Sequence, residues 1–269
     1  MNIPRRDFIK TALTASAATT LTSLTGSAAE ADATVVRRDY YELRAYRLKA
    51  GATHTLLDAY LEKALIPALN ARGIKAVGVF TEPEAKDGPA VWVLIPHASL
   101  ESVGRVTAAL NADPAVQAAG AEYLTSPTKA NPAFDRLDSW LLLAFAGLPQ
   151  YAVPALTREG KTRIFEMRIY ESHSEAKALN KVAMFNAGEI ELMQNLALSP
   201  VFYGQALVGR DLPHLTYLLC SPDRESHARS WAAFFQHPVW LKLKNDPQYT
   251  DNVSKVTSRF LAPTAYSQI

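Results

Sequence analysis

Residues 40–51 read YYELRAYRLKAG, and residues 164–175 read IFEMRIYESHSE. Both carry an apolar-Glu-apolar-Arg-apolar-Tyr run, so that Glu42, Arg44 and Tyr46 are matched by Glu166, Arg168 and Tyr170. Alternation with period two is the signature of a strand. Tyr41, Leu43 and Ala45 then share one face and Glu42, Arg44 and Tyr46 the other. The spacing from Arg44 to Arg168 is 124 residues, and it recurs between Asp113-Pro114 and His237-Pro238. Two anchors at one offset predict two copies of one unit.

Each copy reads strand, helix, strand, strand, helix, strand. In the first, Leu56, Leu57, Tyr60, Leu61, Ala64, Leu65, Ala68 and Leu69 form a helical apolar stripe that Gly73 ends. Leu179, Val182, Ala183, Ile190 and Met193 form the counterpart. GIKAVGVF (73–80) and PAVWVLIP (89–96) predict one hairpin, and SPVFYGQAL (199–207) and PHLTYLLC (213–220) a second. Helices are expected near 100–110 and 226–235, each interrupted ahead of Pro114 or Pro238, with last strands near 139–147 and 256–261. The order βαββαβ is the ferredoxin-like arrangement, an α+β fold with helices on one face of an antiparallel sheet. The other face stays partly apolar, and two tandem copies can cover each other. The expected architecture is therefore two ferredoxin-like repeats forming a pseudo-dimeric α/β barrel within one chain. Its domains are residues 39–147 and 162–263, with 148–161 as a proline-containing linker.

Composition narrows function. A net charge of +2 without a basic run gives nucleic-acid binding little electrostatic support. One cysteine, Cys220, permits no intrachain disulfide and no Cys-built metal site. The N-terminus differs in kind from the rest. Arg5-Arg6 precedes DFIK and then a weakly apolar Ala/Thr/Ser stretch ending in small residues, the order of an export signal of the twin-arginine type. Residues 1–31 are expected to be that signal, cleaved near Ala29 or Ala31, with the export machinery as a partner and the periplasm as the destination. The stretch is too weakly apolar for a stable membrane span, and no transmembrane anchor is expected in the mature chain.

YELRAYRLKAG and GIKAVGVF, together with FEMRIYE, GEIELMQNLALSPVFYGQALVGRDLPHLTYLLC and SWAAFFQHPVWLKLK, resemble the NIPSNAP family over about residues 39–261. The likeness is greater in the second copy. In the first, LNADPAVQAAG lacks the tryptophans. The resemblance implies the dimeric α/β-barrel superfamily and leaves the role open, since one fold hosts many functions.

The candidate polar network or ligand site comprises Glu42, Arg44, Tyr46, Glu166, Arg168 and Tyr170, with His237 and Trp231 nearby in the pattern. Pointing into the barrel, the two Glu–Arg pairs and two tyrosines would meet in a low-dielectric interior and orient a polar ligand. A satisfied ion-pair network that only fixes strand register is the rival reading. His237 either serves as a base or caps the last carbonyls of the helix before it. His54, His97, His173, His214 and His227 lack HxxxH and HExxH spacing, so no metal or cofactor is expected. Ser199 and Ser221 lack a nucleophile elbow, and Cys220 reads as a buried thiol. The expected function is binding of a small organic molecule or a protein partner, which includes a second copy of the chain. A cofactor-independent oxygenase or isomerase and a purely structural scaffold are the alternatives.

Overall fold

In β1 (Tyr40–Arg47) both faces of the strand are covered, because a layer of structure packs on each side of it. Behind it the helix α1 (Thr55–Tyr60) runs through a π-helical turn (Leu61–Leu65) into α2 (Ile66–Ala71). Gly73, at φ +82°, ends the run as the sequence predicts. The hairpin β2 (Gly78–Thr81) and β3 (Ala90–His97) follows, then α3 (Leu100–Asn111), α4 (Pro114–Ala119), α5 (Ala121–Thr125) and β4 (Arg136–Ala144). The computed structural model describes residues 36–85 and 88–269; the expected export signal and its cleavage site lie outside the described residues.

Residues 148–161 carry a one-turn helix, α6 (Ala155–Arg158). The second half repeats the order: β5 (Ile164–Glu171), α7 (Glu175–Met184), a π-helical turn (Phe185–Glu189), α8 (Ile190–Asn195), β6 (Pro200–Val208) and β7 (His214–Ser221). It closes with α9 (Arg224–Gln236), α10 (Pro238–Lys244), a 3₁₀ turn (Pro247–Tyr249) and β8 (Lys255–Pro263). Ser99, Asp113, Ser174 and Asp223 accept backbone N–H bonds at the starts of α3, α4, α7 and α9, the side-chain capping expected of these residue types.

Each half pairs its strands in the ferredoxin-like order, β4-β1-β3-β2 and β8-β5-β7-β6, all antiparallel. The halves then join edge to edge, β4 to β6 and β2 to β8, closing one eight-stranded barrel. Closure removes the open sheet edges that two separate sheets would expose. All eight strands contribute to one inner cluster, in which Tyr41, Leu43 and Ala45 of β1 meet Phe165 and Met167 of β5. At one end, Tyr41 packs on Phe202 with ring centroids 4.8 Å apart, and Tyr151, Val153 and Leu156 from the linker cover the cluster. Two further clusters lie between the barrel wall and the helices, one in each half.

This arrangement overturns the inward placement of the charged motif. The lumen takes the apolar face of β1 and β5. Glu42, Arg44 and Tyr46 point outward beneath the first helix layer, and Glu166, Arg168 and Tyr170 beneath the second. The two motifs do not meet. The stripe of the second helix also differs from expectation. Leu179 is exposed, while Lys181, Met184, Phe185 and Glu189 turn inward.

Candidate functional site

Beneath α9, Glu166 is the hub of a buried network. Arg168 Nη1 donates to its Oε1 at 2.8 Å, and the Ser258 hydroxyl from the neighbouring strand donates to the same oxygen. His227 Nε2 lies 2.7 Å from Oε2, and Trp231 Nε1–H donates to that oxygen at 2.9 Å. His227 Nδ1 in turn pairs with the Ser221 hydroxyl at 2.8 Å. The Arg168 guanidinium lies over the Trp231 ring at 4.7 Å, and the Tyr170 hydroxyl joins Arg168 Nε to the Tyr217 hydroxyl. Burial alone would raise the Glu166 carboxyl. The His227 bond, the Arg168 charge and the Ser258 hydroxyl outweigh it and hold the group at about 2.

The first half builds the same cluster with two partners exchanged. Arg44 Nε donates to Glu42 Oε1 at 2.6 Å, and Ser139 reaches the same oxygen at 3.5 Å. Ser139 stands opposite Arg44 across the β1–β4 ladder as Ser258 stands opposite Arg168 across β5–β8. Here the imidazole comes from the strand: His97 Nδ1 pairs with the Ser102 hydroxyl of α3 at 3.2 Å. Its Nε2 sits 3.8 Å from Glu42 Oε2, too long for a hydrogen bond. Burial raises the Glu42 carboxyl, and His97 and Arg44 beside it more than offset this, holding it at about 2. Tyr46 is buried and bonded to Arg44.

Ser221, His227 and Glu166 are the residue types of a nucleophilic relay, but Ser221 is 2% and His227 3% exposed. A substrate carbonyl has no approach to that hydroxyl, and the chain of bonds ends on a carboxylate already saturated by donors. Of the residues named from the sequence, the structure gathers Glu166, Arg168, Tyr170 and Trp231 into one cluster and Glu42, Arg44 and Tyr46 into another. His237 belongs to neither. Rather than capping the carbonyls of the helix before it, its Nδ1 accepts the Val239 N–H at 3.2 Å and caps the start of α10, as Asp113 does for α4 through Ala115. Cys220 is buried with its thiol pushed up to about 12, out of the reactive range.

Sequence reasoning passed over two features. Lys181 and Glu189 form a salt bridge of 2.5 Å with side chains 4% and 2% exposed. The Lys181 ammonium also faces the Phe185 ring at 4.8 Å, and burial raises the Glu189 carboxyl despite its partner.

The other feature is a cavity. Opposite the end covered by the linker, the barrel opens into a space of about 500 Å³. Trp92 and Trp140 lie against one another in its wall, centroids 6.0 Å apart and planes 20° from parallel. Gly209 makes that placement feasible: at φ +143°, a Cβ there would sit 2.2 Å from Trp140 Cδ1. Trp140 Nε1–H donates to the Arg210 carbonyl at 3.2 Å. The Trp92 indole N–H, in a residue 1% exposed, finds no acceptor among the described residues. His214, 2% exposed, turns Nδ1 to the Thr216 hydroxyl at 3.3 Å, and its Nε2 has no hydrogen-bond partner among the described residues. Burial lowers the His214 pKa, so its imidazole is neutral. Charged groups line the opening. Arg47 and Arg210 both bond Asp138, Lys255 bonds Glu171 at 2.8 Å, and Arg259 bonds Glu82 at 3.0 Å. One signal was available beforehand. Trp92 shares the alternating face of Ala90 and Leu94, where an indole brings a donor onto an otherwise apolar face.

The profile of the NIPSNAP family matches residues 41–127 and 165–268, one stretch in each half. The chain belongs to the NIPSNAP family. No curated protein matches it in sequence. Among solved structures it is similar to a protein of Lactobacillus acidophilus NCFM described as a candidate monooxygenase, at 7% identity over 84% of this chain and 94% of that one, TM-score 0.56. A second protein so described, from Fusobacterium nucleatum subsp. nucleatum ATCC 25586, gives 8%, 85%, 93% and 0.53. An uncharacterized NIPSNAP-like domain protein of Burkholderia xenovorans is 22% identical over 39% of this chain and 88% of its own, TM-score 0.35. At these identities the first two likenesses speak to the barrel fold alone. No helix among the described residues is long and apolar enough to cross a membrane.

Proposed function

We propose that this NIPSNAP-family protein is exported by the twin-arginine route and binds a small organic molecule in the open end of its barrel. One observation carries the binding reading. Two polar atoms, Trp92 Nε1 and His214 Nε2, are buried, have no partner among the described residues, and belong to residues lining the same cavity. Buried polar groups are paired in nearly all folded chains, so an unpaired pair lining a cavity marks where an occupant supplies the missing atoms. A space of about 500 Å³ is within the range of small-molecule sites. The Glu–Arg clusters support the reading from outside. They fix the strands that carry the lumen residues and leave the inner face to the ligand.

Mass spectrometry of the protein purified from the periplasm, under conditions that keep complexes intact, tests this. A copurifying organic molecule is expected with the natural chain and is expected to be lost from Thr257→Phe, which fills the cavity. Retention of the molecule by a folded Thr257→Phe protein would refute the assignment, as would its absence from the natural chain.

A further inference from the structure

We infer that the free edge of β8 takes up an extended segment of a partner polypeptide as an added strand. The closure that removes sheet edges elsewhere stops short along this strand. β2 is four residues long and meets β8 at Ala262 and Pro263 alone. Residues 255–261 pair with β5 and face no strand on their other side. Continuing the β2–β8 register sets Pro83 opposite Phe260, and a proline has no N–H to carry the ladder on. The matching seam differs. β6 is nine residues long and pairs with β4 as far as Val208, and Arg210 beyond it takes the Trp140 indole N–H and bonds Asp138.

Two hydrogen bonds fix which backbone groups the open side carries. Successive residues of a strand turn their N–H and C=O groups to opposite edges. Thr264 N–H donates to the Val79 carbonyl, so the even-numbered residues of β8 face the β2 side. Ser172 N–H donates to the Pro213 carbonyl of the β7 side, which leaves the odd-numbered residues of β5 and β8 facing each other. The N–H and C=O groups of Val256, Ser258 and Phe260 therefore point to the open side, where they have no hydrogen-bond partner among the described residues.

A groove of about 440 Å³ runs along this edge, lined by residues 256–260 with Glu82, Glu84 and Arg224. From residue 256 to 260 the strand extends about 14 Å. Donors and acceptors repeating over that length are matched by another extended backbone, the mode of recognition in which a peptide adds a strand to a sheet. Arg224 lies over the Phe260 ring at 4.0 Å and bonds Glu84 at 2.9 Å, so a rim stands over the edge. The recess admits one extended chain and holds off the flank of a second barrel. Side chains add a preference. Val256, 49% exposed, shares a face of β8 with Phe260, and β-branched or aromatic residues pair well with these across a ladder.

Nuclear magnetic resonance and hydrogen exchange with acetyl-Thr-Val-Thr-Val-Thr-amide test this, beside the same peptide methylated at every backbone nitrogen. In the free protein the Val256, Ser258 and Phe260 amides are expected to exchange at least about tenfold faster than those of Thr257 and Arg259, which face β5. The peptide is expected to shift the three resonances and slow their exchange. The methylated form keeps the side chains and loses the donors, and it is expected to bind at least about tenfold more weakly. Val256→Pro removes an N–H that serves no bond to β5, and it is expected to weaken the peptide about tenfold. The methylated control stands whether or not that variant folds. Sedimentation is expected to give the natural chain and Val256→Pro the same mass. Slow exchange of the three amides in the free protein, no movement of their resonances with the peptide, or equal binding of the two peptides would overturn the proposal. A dimer that Val256→Pro splits would overturn it too, because a second copy would then occupy the edge.

Discussion

Replacing Glu166 by Gln keeps the shape of the hub and removes its charge, which makes it a sharp test of the network beneath α9. The carboxylate receives Arg168 and Ser258 on one oxygen and His227 and Trp231 on the other. An amide can keep the first pair by presenting its oxygen to Arg168. Its NH₂ then faces His227 and Trp231. His227 can adapt by exchanging tautomers through Ser221, and the Trp231 indole N–H can then donate to His227 Nε2, 3.0 Å away. The ionised carboxyl itself is held from 4.5 down to about 2, which corresponds to about 3 kcal/mol. The expected loss in urea-unfolding free energy at neutral pH is thus about 3 kcal/mol. The pH dependence fixes the sign. The unfolded carboxyl takes up its proton near 4.5 and the folded one near 2, so between these values the unfolded chain binds the extra proton. The stabilisation is complete above the first value and is lost as pH falls through the second. The gap between natural chain and variant should shrink by about 2 kcal/mol on moving from neutral pH to about pH 3. A gap below about 1 kcal/mol at neutral pH, or one that does not change on acidification, would refute the network's role.

Lys181→Met leaves Glu189 buried without its cation and should cost about 3–5 kcal/mol, whereas Lys181→Met with Glu189→Leu should recover most of it; equal losses in chemical denaturation would contradict this. Gly209→Ala places a methyl on the Trp140 ring at a backbone angle that L-residues avoid, and it should lower stability by about 2 kcal/mol or more and shift tryptophan fluorescence. An unchanged emission spectrum would show that Trp140 does not depend on this glycine. Changing Arg5 and Arg6 together to lysine should hold the precursor in the cytoplasm, and continued appearance of the mature chain in the periplasm would count against twin-arginine export.

The alternation in β1 and β5, the 124-residue offset and the order βαββαβ made the barrel legible before any coordinates. What they could not supply was direction. Period two says that Glu42, Arg44 and Tyr46 share a face, but in a barrel wrapped by helices both faces of a strand are covered, and a charged face can lie on either. Filling a closed lumen with side chains from eight strands favours the apolar face, and the Glu–Arg pairs take the side where helix residues can answer them. His227 was legible in part. It sits four residues before Trp231 and seven before Phe234, a polar residue on an apolar stripe, which calls for a partner on the strand below. Lys181 and Glu189 are eight apart across a π-helical turn. A regular helix would set them on one face but about 12 Å apart along its axis, beyond the i, i+3 and i, i+4 spacings at which charged pairs are sought. The cavity depends on which lumen positions stay unfilled, which only the assembled barrel decides.

The exchange of histidine and serine between the halves bears on how a chain with two similar lobes avoids assembling wrongly. At the same strand position stand His97 in one half and Ser221 in the other, answered by Ser102 from α3 and His227 from α9. Were α9 to settle on the first lobe, two imidazoles would crowd one carboxylate. Were α3 to settle on the second, two hydroxyls would face each other and Glu166 would lose its imidazole. Each helix therefore carries a key cut for its own lobe, and the lobes can stay alike in backbone without being interchangeable.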